Sequence, residues 1–117
     1  MSDDVLTRVR ERMRSFGFPG TLLPENVAHD HYDEKTGRFT VTLKNEVNLD
    51  LEGIPIWFGK KVSGTIVDGS ITQMSGVKAK KGFWLAIGAI LIDGDDLVFK
   101  VAGITRRVPR SAWLDTD

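Results

Sequence analysis

The sequence predicts a mostly β fold with one N-terminal α-helix, in which a coiled antiparallel sheet forms a partly open β-barrel or sandwich. Three observations carry this. Apolar residues recur at helical spacing only over the first sixteen or so positions. From His29 onward the apolar period changes to two, in segments spaced roughly every 8–12 residues and separated by turn residues, a spacing typical of sandwiches and barrels. Phe83 to Ile92 (FWLAIGAILI) is apolar at every position but Gly88. This run is too short for a membrane-spanning helix, which needs roughly 20 apolar residues, and its β-branched and aromatic content points to a strand. A strand apolar on both faces is expected to have both covered. In a small antiparallel protein that requires a rolled sheet, packed on its outside and enclosing a core or cavity.

Taken in order, Ser2-Asp3-Asp4 reads as a helix start, an N-cap serine followed by acids in the first turn. Val5, Leu6, Val9, Met13 and Phe16 then form one stripe, bordered by Arg8 and Arg12 on one side and Arg10 and Arg14 on the other. Gly17 and Pro19-Gly20 end the helix. Such a stripe packs on a sheet with arginine stems over the rim, or lies on an anionic membrane surface. Phe18 to Val27 is an irregular connector whose Leu22, Leu23 and Val27 plug one end of the core. His29–Asp33 and Arg38–Lys44 flank a turn with Gly37 at its end, with Phe39, Val41 and Leu43 inward. Glu46–Glu52 alternates with Val47, Leu49 and Leu51 inward, and Pro55 marks an edge, bulge or corner.

Lys61–Val67, Asp68-Gly69 and Ser70–Met74 form the clearest hairpin, for which Asp-Gly predicts a type I′ turn. Gly76 is expected to end that unit, and Val77–Ile92 to follow as one long strand or a broken pair. Asp93-Gly94-Asp95 turns into Asp96–Ala102, with Leu97, Phe99 and Val101 alternating. Ile104–Val108 is a last short strand ended by Pro109, and Trp113 docks the C-terminus. The expected organisation is an amphipathic helix over residues 1–17 and a single β-barrel-like domain over 18–117.

The 117 residues suffice for one domain with a real core, and 41% hydrophobic with 27% charged residues is ordinary globular composition. With no cysteine there is no disulfide framework, thiolate metal site or thiol nucleophile. No secretory h-region is visible over Ser2–Phe16, so a cytoplasmic protein is expected, although a processed leader would leave the same sequence. Formal net charge is zero, but residues 1–58 hold ten acids against seven bases and residues 59–117 nine bases against six acids. A pI near 6.7 argues against nucleic acid as a partner.

Several ordered pieces between Phe18 and Trp113 carry a resemblance. They are Leu22-Leu23-Pro24 with Val27; Tyr32 followed by Gly37-Arg38-Phe39-Thr40-Val41; Val62-Ser63-Gly64-Thr65-Ile66 with Gly69-Ser70-Ile71; Ser75-Gly76-Val77-Lys78-Ala79-Lys80 followed by Trp84; and Leu97-Val98-Phe99 with Val108-Pro109. In this order and spacing they resemble the mainly plant family catalogued as domain of unknown function 538. The resemblance implies a coiled antiparallel barrel-like fold, often with an N-terminal helix. Members have been likened to lipid-binding bactericidal/permeability-increasing proteins, and chlorophyll-type ligands and esterase activity have been proposed. It supplies no accepted catalytic residues. Many relatives are secreted and carry a cysteine after the second strand, where this chain has Asn45-Glu46-Val47.

Of the chemistry-bearing residues, His29 and His31 share a strand face with Asp33 and could offer ligands to zinc, but no HExxH or second histidine cluster accompanies them. Ser63, Ser70, Ser75 and Ser111 lack the G-x-S-x-G elbow, and Asp93, Asp95 and Asp96 lack calcium-loop spacing. No metal, cofactor or catalytic residue is therefore assigned. Lys78 and Lys80 share one face of an extended Gly76–Gly82, and Arg106, Arg107 and Arg110 add charge nearby; these make either an anion-binding rim or a solvated edge that resists aggregation. Trp57 and Trp84 line a pocket or fill the core. The leading expectation is a non-enzymatic binder of a lipid-like amphiphile. Trp84, Ile87, Ile90, Leu97 and Phe99 would hold the tail, and Lys78, Lys80, Arg106 and Arg107 the anionic head. An interaction module with a filled core, docking through its helix, and a weak esterase are the alternatives. An apolar cavity of roughly 300 Å³ or more with a basic mouth would favour the first.

Overall fold

Strand alternation and glycine-marked turns build eight antiparallel strands behind one helix. A computed structural model describes residues 3–51, 53–101 and 103–112. The expectations for Ser2, Glu52, Ala102 and Trp113 lie outside the described residues. The elements are α1 (Asp3–Ser15), β1 (Val27–Asp33), β2 (Arg38–Leu43), β3 (Val47–Leu51), β4 (Ile54–Val67), β5 (Ser70–Lys81), β6 (Phe83–Asp93), β7 (Asp96–Val101) and β8 (Ile104–Pro109), with single 3₁₀ turns at Gly20–Leu22 and Arg110–Ala112. The sheet order is β1-β2-β4-β5-β6-β7-β8, and β3 pairs with the first half of β4. The sheet coils without closing. Its seam lies between the β3–β4 ribbon and β8.

Coiling is concentrated where two strands buckle together. Between Phe58 and Ser63 five residues of β4 run against two of β5. Between Ile71 and Lys78 seven residues of β5 run against four of β6. Extra residues on one strand bend it and strengthen its twist. Gly76 makes the corner feasible. Its φ is +92°, and a Cβ there would overlap the backbone carbonyl of Lys61. Gly76 thus bends β5 rather than ending it, and the break comes at Gly82 between β5 and β6.

Inward positions on β2 and β7 are as expected: Phe39, Val41, Leu43, Leu97, Phe99 and Val101 are all buried. Pro55 stands opposite Asp50 at the start of β4, ahead of the first β4–β5 pair at Ile56. The β4–β5 turn departs from type I′: Gly69 has φ +73° but Asp68 stays at negative φ. This turn is fastened from outside the hairpin, because Gly69 donates to the Phe16 carbonyl (3.0 Å) and accepts from Ile92 N–H (2.9 Å).

The expectation that Phe83–Ile92 is covered on both faces does not hold. Phe83 is 69% and Trp84 41% exposed, and Ala86 and Gly88 are open as well. The register shifts between Ile87 and Ala89, so Gly88 is a bulge. Leu85 and Ile87 face inward before it, Ile90 and Ile92 after it. The unbroken apolar run thus arises largely because the bulge switches the inward set from odd to even positions. A covered outer face is not needed to explain it.

Helix α1 is held by its apolar stripe, with Val9 and Met13 buried and Val5, Leu6 and Phe16 half-buried against the core. It ends in a Schellman motif: Phe18 N–H donates to Met13 and Gly17 N–H to Arg14, with Gly17 at φ +93°. Arg12 makes a bidentate pair with Asp30 on β1 (2.7 and 2.6 Å) and lies 4.4 Å over the Tyr32 ring. Leu22, Leu23 and Val27 are buried beside it. The β1–β2, β4–β5 and β6–β7 turns lie at this plugged end. The β3–β4, β5–β6 and β7–β8 turns lie at the other.

Candidate functional site

The end away from the helix carries an apolar cleft of about 240 Å³. The floor is Ile56, Ala79, Ile87 and Phe99, supplied by four neighbouring strands. One wall is Leu51, Gly53 and Ile54 from the β3–β4 ribbon; the other is Val101, Ile104 and Val108 from β7 and β8. The cleft is therefore the unclosed seam of the barrel. Cross-strand pairing explains its lining: Ala79 pairs with Leu85, Ile87 with Val101, and Val101 with Ile104, all on the inner face. Lys80, Lys81 and Arg106 complete the lining, and all three are exposed. The arrangement is an apolar trough with cations at its mouth.

Deeper in the core, a void beside Ile87, Ile90 and Phe99 holds only about 20 Å³. The cleft is open and, at about 240 Å³, smaller than the cavity of roughly 300 Å³ that would favour an amphiphile binder.

Four of the nine residues singled out from the sequence meet here: Ile87, Phe99, Lys80 and Arg106. Ile90 lines the small deeper void, and Leu97 is wholly buried in the core. The remaining three face outward. Trp84 pairs with Lys80 on the outer face, the ammonium 5.9 Å from the ring, because the inward set on this part of β6 is Leu85 and Ile87. Lys78 lies 5.3 Å over the outward Trp57, whose Nε1 donates to Glu46. Neither tryptophan lines the cleft or fills the core. Arg107 is hydrogen-bonded to Asp93 and Asp96, and these bonds, Asp93 first, raise its pKa above the ordinary arginine value. It is a charge-satisfied cation of the outer surface.

Sequence reasoning missed Ile54, Ile56, Leu85 and Ile104. A signal existed for two of them, since Ile54 and Ile56 alternate about Pro55. His29 and His31 are exposed on β1, and no cluster of three metal-ligating side chains occurs among the described residues. Ser63, Ser70, Ser75 and Ser111 are not part of the cleft lining. No described helix is long and apolar enough to cross a membrane.

A family model described as "Protein of unknown function, DUF538" matches residues 9–114. The chain is also 23% identical over 104 residues to an uncharacterized protein of Arabidopsis thaliana, At5g01610, a match covering 88% of this chain and 61% of that protein. The chain thus spans about three fifths of the length of the curated relative it matches. The matched region runs from within the helix through all eight strands, and on that ground the chain belongs to the DUF538 family of proteins of unknown function.

Proposed function

We propose that the seam cleft binds a small anionic amphiphile, with its apolar chain in the trough and its head group at Lys81 and Arg106. The observation that carries this reading is the joining of an apolar lining to the cations Lys81 and Arg106 at one mouth, with Lys80 bordering it and its ammonium over Trp84. Few convergent polar groups on an apolar concave surface are what small-molecule sites offer. An apolar cavity of about 150 Å³ holds benzene, so one of about 240 Å³ takes roughly eight to ten carbon atoms. Burying each methylene contributes about 0.8 kcal/mol. After the cost of ordering the ligand, a Kd of about 10 µM to 1 mM is expected for a medium-chain carboxylate.

Calorimetric titration with decanoate, decanol and decylamine tests this. Decanoate should bind in that range, decanol more weakly and decylamine least. Ala79→Phe places a ring in the trough at a floor position and should weaken decanoate at least about tenfold while the protein stays folded. Equal binding of all three compounds, or an Ala79→Phe variant that binds as well as the parent, would refute the assignment.

A further inference from the structure

We infer that the end of the barrel opposite the helix docks onto anionic lipid bilayers, with Phe83, Trp84 and Ile104 entering the interface and Lys80, Lys81 and Arg106 meeting the phosphates. This goes beyond ligand uptake by the cleft and does not depend on it.

Four large apolar side chains are exposed among the described residues, and three of them, Phe83, Trp84 and Ile104, sit on the β5–β6 and β7–β8 tips. Phe83, at 69% exposure, is the most open of the four. The β5–β6 connection is the single residue Gly82 at φ +81°, so the two aromatics sit on a tight corner. Cross-strand pairing sets Lys81 beside Phe83 on one face of that corner and Lys80 beside Trp84 on the other. Each face of the tip thus presents one aromatic ring and one flexible cation. Aromatic rings settle at the level of lipid head groups, and lysine stems extend along apolar surface to place their charge in the polar layer.

Charge complementarity selects an anionic surface. Lys78, Lys80, Lys81, Lys100 and Arg106 lie toward this end. The described carboxylates there are Asp50, turned to the Gly53 N–H (2.7 Å), and Glu46, which accepts from Trp57 Nε1 (3.0 Å). At the opposite end Asp33, Glu34, Asp68, Asp93, Asp95 and Asp96 gather with Lys35, Arg38, Arg107 and Arg110, so that end lacks the excess of cations found at the tip. The helix, which from sequence alone is the obvious membrane element, has Val9 and Met13 committed to the core. Docking through the tip would also set the cleft mouth against the bilayer, because Lys80, Lys81, Ile104 and Arg106 belong to both.

The test is sedimentation of the full chain with phosphatidylcholine vesicles prepared with and without phosphatidylserine. Binding should require phosphatidylserine and fall with added salt. Phe83→Ser/Trp84→Ser should lower partitioning at least about tenfold, and Lys80→Glu/Lys81→Glu should do the same, each lysine near the surface contributing about fivefold. Both pairs are exposed, and unchanged circular dichroism would show that the variants fold. Ala79→Phe, which fills the cleft, should still sediment. The inference is overturned if the parent ignores anionic vesicles, or if both tip variants bind as well as the parent. It is also overturned if Arg8→Ser/Arg14→Ser on the helix removes binding in their place, or if Ala79→Phe abolishes it, since the signal would then be lipid uptake rather than docking.

Discussion

Removing the Arg12 side chain should unfasten the helix from the barrel at a cost large enough to measure by any unfolding method. The Asp30 side chain is only 4% exposed and Arg12 16%, and the two are joined by a bidentate bond. Arg12→Ala leaves the Asp30 carboxylate in a site that water barely reaches. Breaking a buried pair from one side costs about 3–5 kcal/mol; the partial exposure of Arg12 places this one near 3 kcal/mol. The lost contact with the Tyr32 ring adds about 0.5–1 kcal/mol. The unfolding entropy of a chain this long, about 0.25 kcal/mol per degree, converts a total near 4 kcal/mol into a Tm lower by about 15 °C. Urea denaturation followed by tryptophan fluorescence, with Asp30→Ala and the double variant, completes the cycle. A coupling energy of about 2 kcal/mol or more is expected. Additive single losses, or a loss below about 1 kcal/mol for Arg12→Ala, would refute the view that this pair fixes the helix.

Gly76→Ala should cost about 3 kcal/mol or prevent folding, since a left-handed backbone alone costs about 1–2 kcal/mol and the new Cβ meets the Lys61 carbonyl. Gly53→Ala, also at positive φ but in open space, should cost only about 1 kcal/mol; equal urea midpoints for the two variants would contradict the corner assigned to Gly76. Phe99→Ala should lose about 3–5 kcal/mol, because Phe99 both floors the cleft and packs the core, and chemical denaturation measures it. Arg106→Ala should weaken decanoate several-fold, while Arg107→Ala, whose guanidinium is engaged by Asp93 and Asp96, should leave it unchanged; calorimetry with both variants distinguishes the neighbours.

Most of the strand plan was legible because alternation reports which face is buried: Phe39-Val41-Leu43 is an uninterrupted case of it, and Leu97-Phe99-Val101 is another in which the intervening Val98 is buried as well. The helix was legible for the same reason at its own period. Where strands bulge, the rule fails. Gly88 shifts the register of β6, so Ile87 and Ile90 both face inward while Trp84, expected on the same inner wall, points outward. Gly76 carries the punctuation of a turn yet sits inside a bent strand, since a glycine needed for a close backbone approach looks in sequence like one needed to stop. The basic rim was partly legible: Arg106 reaches the cleft and Lys80 borders it with its ammonium over Trp84, whereas Lys78 and Arg107 are claimed by Trp57 and by two aspartates of the outer surface. Such pairings depend on which strands become neighbours, and the seam, lined by segments as distant as Leu51 and Val108, exists only once the sheet has coiled.

The most direct test of the seam as a binding site is a ¹⁵N–¹H correlation titration with decanoate. Amides of Gly53, Ile54, Lys80, Leu85 and Ile104 should shift together and saturate, while those of α1 and the β1–β2 hairpin stay in place. Saturable shifts confined to the helix end, or none at all, would contradict the account.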